Sequence, residues 1–307
     1  MAGGLVRAYV NTPKHLKHLG SQFYPMWHAD AEHFAQHIGG SIEQGASILA
    51  HLSPSQESEM NRLMAYQMVH GMSDKQGDLL VKAAGHAQEA KGIRSQMMHM
   101  SKRGEEGTST FHKLSQQHEA LRGEAKTLRQ RSGIQGTPLG QQSSRSLGAA
   151  VQAMRGEIHP MESLGNVKIR DFGESIVNPH SSRFPIDTHF HDATLGRLDI
   201  PYATSRGLSA KGRYEDFLRV GQQGHRLTQQ RLGEEMPITS WMGGIWYGHQ
   251  QRKVETNPSS LSARRASVTK IDRTLNKIQS SGAKHLLPET YGLEPVNVKI
   301  DVGQGAR

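Results

Sequence analysis

Apolar residues along this chain recur at helical spacing, and no run alternates as a half-buried strand would. In MWHADAEHFAQHIG, the residues Trp27, Ala31, Phe34, Ala35 and Ile38 form the stripe of an amphipathic helix. SIEQGASILAHL follows, with Ile42, Ala46 and Leu49 facing inward. Ser53-Pro54-Ser55-Gln56 reads as a helix start, with Ser53 as cap, Pro54 in the first turn and Gln56 placed for a capping box. That helix buries Met60, Leu63, Met64 and Met68 and stops at Gly71. Between Asp78 and Arg131 the pattern predicts two helices separated by SKRGEEGTST. In the second, Phe111, Leu114, His118, Leu121, Ala125 and Leu128 follow a 3-4-3-4-3 spacing, the seam of an antiparallel helical hairpin. GIQGTPLGQQSSRS is the linker out of it.

A second periodic block begins near Leu147. KIRDFGESIVNP is a helix ended by Asn178-Pro179, and Asp187 opens another holding Phe190, Ala193, Thr194 and Leu198. SAKGRYEDFLRVGQQGHRLTQQRLG and PITSWMGGIWYGHQQRK supply the last two. The expected fold is all-α. Its core is discontinuous, residues 1–77 and 145–250, interrupted by a basic hairpin and linker at 78–144 and followed by a partly ordered basic tail at 251–307.

Composition narrows the chemistry. The chain has 307 residues and no cysteine, which excludes disulfides, a thiol nucleophile and cysteine-ligated metal centres. No apolar run approaches the roughly 20 residues of a membrane span, so a cytoplasmic protein with no membrane partner is expected. The net charge is +9, with a sequence pI near 9.7, which favours a polyanionic partner. Residues 80–150 carry eleven Lys or Arg against five acids, and residues 250–307 ten against five. The hairpin and the tail are therefore the expected contacts with nucleic acid, or in the hairpin's case with another subunit.

The densest polar motif is FPIDTHFHDATLGRL, residues 184–198, where Asp187, His189, His191 and Asp192 stand within six positions. Three readings are open. Asp187 is a helix N-cap, worth about 1 kcal/mol without any further role. Alternatively, His189, His191 and Asp192 bind a metal, with His180, Asp199 or His249 completing the set, as in HD-type phosphohydrolases. His189 and His191, however, project about 200° apart on a helix and cannot share one ion. In the third reading Asp187 is a catalytic carboxylate at the helix mouth, where the dipole favours negative charge; His189 orients the loop, and His191 and Asp192 are surface residues.

The motif resembles the segment of helix-hairpin-helix DNA glycosylases, the endonuclease III superfamily, that reads roughly P-V-D-T-H-V-x-R-x-x-x-R-L-G. Pro185, Asp187, Thr188, His189, Arg197 and Leu198 carry the match. Upstream, ILAHLSPSQESEMN resembles the family helix whose glutamine projects toward DNA, with Gln56 in that place. SLGNVKIRDF stands where the family has its hairpin, with Gly165 and Asn166 at the turn. Lys168, 19 residues before Asp187, stands near the nucleophilic lysine of the family's lyase branch.

A second resemblance is to an uncharacterised family of actinobacterial phage proteins. It rests on Tyr24-Pro25 with Ala29, Gly45 to Pro54, Lys168 to Pro179, Ile186 to His189, Gly212-Arg213-Tyr214 and Trp241. For a phage-encoded chain, the cytoplasm would be the host's. The glycosylase resemblance implies a two-lobed core that binds double-stranded DNA, and neither a cofactor nor a metal is expected. Asp187 would stabilise an oxocarbenium-like transition state, with Lys168 and His189 as further catalytic groups. Gln56, Gly165, Asn166, Lys211 and Arg213 would face DNA. Trp241, Trp246 and Tyr247 would stack on a flipped base. A non-enzymatic phage DNA-binding or assembly protein on the same scaffold is the alternative.

Overall fold

The computed structural model describes residues 1–54, 58–198 and 212–257, together with residues 208, 259, 262, 265, 266, 269, 273 and 276. Among them the chain forms eleven α-helices and one 3₁₀ turn, with no strand. The helices are α1 (Ala2–Val10), α2 (Lys14–Ile38), α3 (Ile42–Leu52), α4 (Ser58–Gly71), α5 (Asp74–Lys102) and α6 (Ser109–Arg131). After the 3₁₀ turn Pro138–Gln141 come α7 (Ser144–Met154), α8 (Val167–Val177), α9 (Thr188–Leu195), α10 (Arg213–Leu232) and α11 (Ile238–Thr256). No described helix is long and apolar enough to cross a membrane.

Two compact units divide the chain, one containing Met1–Glu32 and Gly165–Arg273, the other His33–Leu164. The division differs from the sequence expectation, because residues 33–72 group with the hairpin rather than with the 165–250 block. The helices flanking the expected helix-hairpin-helix turn also part company, α7 falling in the second unit and α8 in the first.

In the first unit, α1 packs on α9, α10 and α11. Leu5, Val6 and Tyr9 supply its inward face. This short helix was not expected from the pattern. Gly20 of α2 meets Gly243 and Gly244 of α11 backbone to backbone, and a methyl at Gly20 would collide with the Gly244 main chain. On α10, a methyl at Gly224 would stand 3.3 Å from Leu5 and 3.2 Å from Trp241. Trp27, Phe184, Phe190 and Trp241 fill the remaining interior.

In the second unit, Ser41 with Gln44 and Ser73 with Gln76 form capping boxes that start α3 and α5. Ser53 ends α3, its hydroxyl donating to the Ala50 carbonyl at 2.8 Å; the expected capping box with Gln56 lies outside the described residues. α5 begins at Asp74, before the expected edge of the hairpin at 78. Its first turns belong to the core, since Gly148 of α7 leaves room for Ala84 and the Leu80 carbonyl. The distal half pairs with α6 around Ala90, Ile93, Met97, Leu114 and Leu121.

A capped carboxylate above a buried polar cluster

Asp187 occupies the mouth of α9. Pro185 and Ile186 run into the helix, and the Asp187 Oδ1 accepts the Phe190 N–H at 2.7 Å, a side-chain N-cap. Its Oδ2 accepts the Trp246 Nε1–H at 3.1 Å. Asp187 and Trp246 are both half-buried. Phe23, Tyr247 and His189 surround the Trp246 ring at centroid distances of 5.7, 5.0 and 5.8 Å.

The approach to Asp187 is held by a polar network. Buried Asp171 accepts the Arg183 Nε–H at 2.7 Å and the Tyr214 hydroxyl at 2.9 Å. The same Tyr214 oxygen accepts the Ile186 N–H at 2.9 Å, which fixes the backbone one residue before Asp187. Arg183 also donates to Glu215 at 2.9 Å. Hydrogen bonds to Glu215 and then Asp171 raise its pKa, while Arg183 holds the Glu215 carboxyl below its ordinary value. Burial, and next the Asp171 charge, push the Tyr214 phenol up. Sequence reasoning did not single out Asp171 or Arg183. The only local hint was their density of charge beside a proline-bounded loop.

Behind the cap the structure corrects the expectation that His191 and Asp192 are surface residues: each is 1% exposed. α9 is only eight residues long and is packed by both α1 and α11, so most of its circumference is interior. His191 Nδ1–H donates to Asp192 Oδ1 at 3.1 Å, and Lys253 Nζ donates to Asp192 Oδ2 at 2.9 Å. Asp192 is thus a buried counter-ion to an α11 lysine, not a solvated helix residue. Among the described residues no three His, Asp or Glu side chains are grouped to hold a metal.

His189 is buried, and burial lowers its pKa; the Asp187 charge opposes this shift and the Lys253 charge adds to it. His249 lies 6.3 Å away, ring to ring. Its pKa is pushed down to about 3 by burial and then by Lys253. Tyr24, fully buried, is raised by burial and secondarily by the Asp187 charge.

The other predicted residues separate clearly. Lys168, Gly165, Asn166 and Arg213 are exposed, and Asn166 caps α8 by accepting the Lys168 N–H at 2.9 Å. Lys168 is felt by His189 as a distant charge. Gln56 and Lys211 lie outside the described residues. Trp241 is not placed to stack on a base. It is 0% exposed, donates its Nε1–H to Thr228 at 3.0 Å, and its ring lies among Phe190, Tyr9 and His225. Tyr247 is buried too, which leaves Trp246 as the half-exposed member of the expected aromatic wall. In comparisons with known proteins, no family model, curated protein or solved structure matches the chain.

Proposed function

We propose that the protein binds DNA through its basic surfaces and that Asp187 is the working carboxylate of a glycosylase-like base-excision site. The observation that carries this reading is the carboxylate itself. It is half-buried at a helix N-terminus and braced by the Trp246 indole, and its charge is felt by the buried Tyr24 and His189. A fixed carboxylate stabilises developing positive charge on a sugar because it needs no reorganisation when that charge forms. Trp246 offers an aromatic edge beside it, and the +9 net charge supplies attraction for the phosphate backbone. Lys168, exposed in the first turn of α8, is the amine for a lyase step if one follows.

The second reading, a non-enzymatic phage-type DNA-binding or assembly protein, is favoured by the same two hydrogen bonds. Both Asp187 oxygens already have donors, so a locked cap accounts for them without chemistry. The discriminating experiment incubates the protein with duplexes carrying assorted damaged or modified bases, then treats with alkali and resolves the strands. Base release by the wild type that falls by orders of magnitude in Asp187→Asn supports excision. Undiminished release by a folded Asp187→Asn variant sinks the assignment. DNA binding without release in either protein supports the second reading.

A further inference from the structure

A pocket of about 490 Å³ opens in the first unit among α1, the C-terminal end of α9 and α11. Its polar lining includes Arg7, Asn11, Thr194, His249 and Arg252, with Leu195 and Leu198 among the apolar residues. Among the described residues no carboxylate lines it. We infer that this pocket binds a phosphate monoester of a small organic ligand, with Arg7 and Arg252 gripping the phosphoryl oxygens and the His249 Nε2 completing the set. The inference does not rest on the Asp187 reading.

One orphaned buried atom and two guanidinium groups without a described protein acceptor motivate it. His249 is 1% exposed, and its Nε2 has no hydrogen-bond partner among the described residues. A buried polar atom left unpaired costs about 1–3 kcal/mol, so an orphan facing a cavity implies a group that meets it. Arg252 is half-buried on the next turn of α11. Burial lowers its pKa, and the Glu255 charge opposes that shift. No described side chain or carbonyl accepts from its guanidinium. The Arg7 guanidinium, exposed on α1, also has no described acceptor.

Chemistry selects the ligand class. Two arginines lining one cavity match the three terminal oxygens of a phosphate monoester, which can take bidentate bonds from guanidinium groups. A neutral imidazole adds one further N–H without adding charge. The C-terminal end of α9, at Gly196, is the less favourable helix end for an anion, so the two arginines must outweigh it. The volume falls within the ~300–1,000 Å³ range of small-molecule pockets, and the apolar residues suit a non-phosphate moiety. An anion alone would not need them.

The test titrates the full chain calorimetrically at low salt with inorganic phosphate, a nucleoside 5′-monophosphate, and one single-stranded oligonucleotide with and without a 5′-phosphate. The expected result is saturable binding of the monophosphate, tighter than inorganic phosphate. Affinity should weaken at least about tenfold in Arg252→Gln (1.4 kcal/mol per tenfold), and by less in Arg7→Gln. A preference for the 5′-phosphorylated strand over its unphosphorylated twin, without monophosphate binding, would identify a strand end as the source of the same group. Arg7 is on the surface, so Arg7→Gln keeps the fold and remains a valid probe if Arg252→Gln unfolds. Affinity unchanged by Arg7→Gln overturns the inference. So does equal binding of both strands with no response to either small phosphate.

Discussion

The distal α5–α6 hairpin and the α9–α11 contact are both helix pairs, yet they are held together by opposite means. The hairpin is stitched by a narrow apolar seam, Ala90, Ile93 and Met97 facing Leu114 and Leu121, under an exposed and highly charged surface. The α9–α11 contact buries an ion pair, Asp192 with Lys253, and two histidines, His191 and His249, inside otherwise apolar packing. The first kind of contact tolerates truncation because each residue contributes a little. The second is more brittle, since the buried Asp192 charge depends on Lys253 and His191.

The sharpest way to break this comparison is Lys253→Ala. It removes the ion-pair partner of the buried Asp192 carboxylate and is expected to cost about 3–5 kcal/mol in denaturant-induced unfolding. Lys253→Met with Asp192→Asn should recover most of that loss, because the amide oxygen still accepts from His191 and neither charge of the pair is left buried. A double variant no more stable than Lys253→Ala would show that the pair itself, rather than its burial, carries the contact.

Acid should have the next largest effect. His249 titrates at about 3 and His51 at about 4 when folded, both because burial disfavours the charged ring, against about 6.5 when unfolded. Between those values the unfolded chain binds more protons, so stability falls as pH drops below about 6.5. The decline from each histidine ends once its folded form protonates too. For His249 it should reach on the order of 2–3 kcal/mol by pH 4, and unfolding midpoints of His249→Phe measured from pH 7 to 4 should slope less steeply than wild type.

In the hairpin, Leu121→Ala should cost about 2 kcal/mol, the low end for a buried leucine. The resulting loss of hydrogen-exchange protection should be confined to the distal parts of α5 and α6. Loss of protection in α7 as well would mean that the hairpin unfolds as one with the core turns of α5. Smallest of all, Glu124→Gln removes the partner of His86 across the hairpin (3.3 Å, with 59% of the Glu124 side chain exposed), and should change stability by no more than about 0.5 kcal/mol.

The same contrast explains what was legible beforehand. The six seam positions from Phe111 to Leu128 are all at least half-buried, because a repeating spacing is a local property of the sequence. The Asp187 cap was legible for a like reason: it needs only an extended approach and a helix immediately after it. His191 and Asp192 were misplaced because a polar residue is ordinarily taken as outward-facing. Asp192 is paired with Lys253, a residue 61 positions later that no local pattern could match to it, and His191 bonds Asp192 in turn. α1 was overlooked since its nine residues give too few turns for a stripe to stand out. Trp241 and Trp246 lie on one helix five residues apart, and sequence alone does not say which of them reaches the surface.

The crossing of Gly20 with Gly243 and Gly244 constrains the chain's history as much as its stability. A side chain at Gly20 or Gly243 would have to displace another segment's backbone, which no nearby substitution relieves without moving a helix, whereas one at Gly244 would meet the Tyr9 ring. Change at Gly20 or Gly243 should therefore be selected against wherever this fold is kept, while surface positions drift. In a saturation library selected for folding, these positions should be among the emptiest columns.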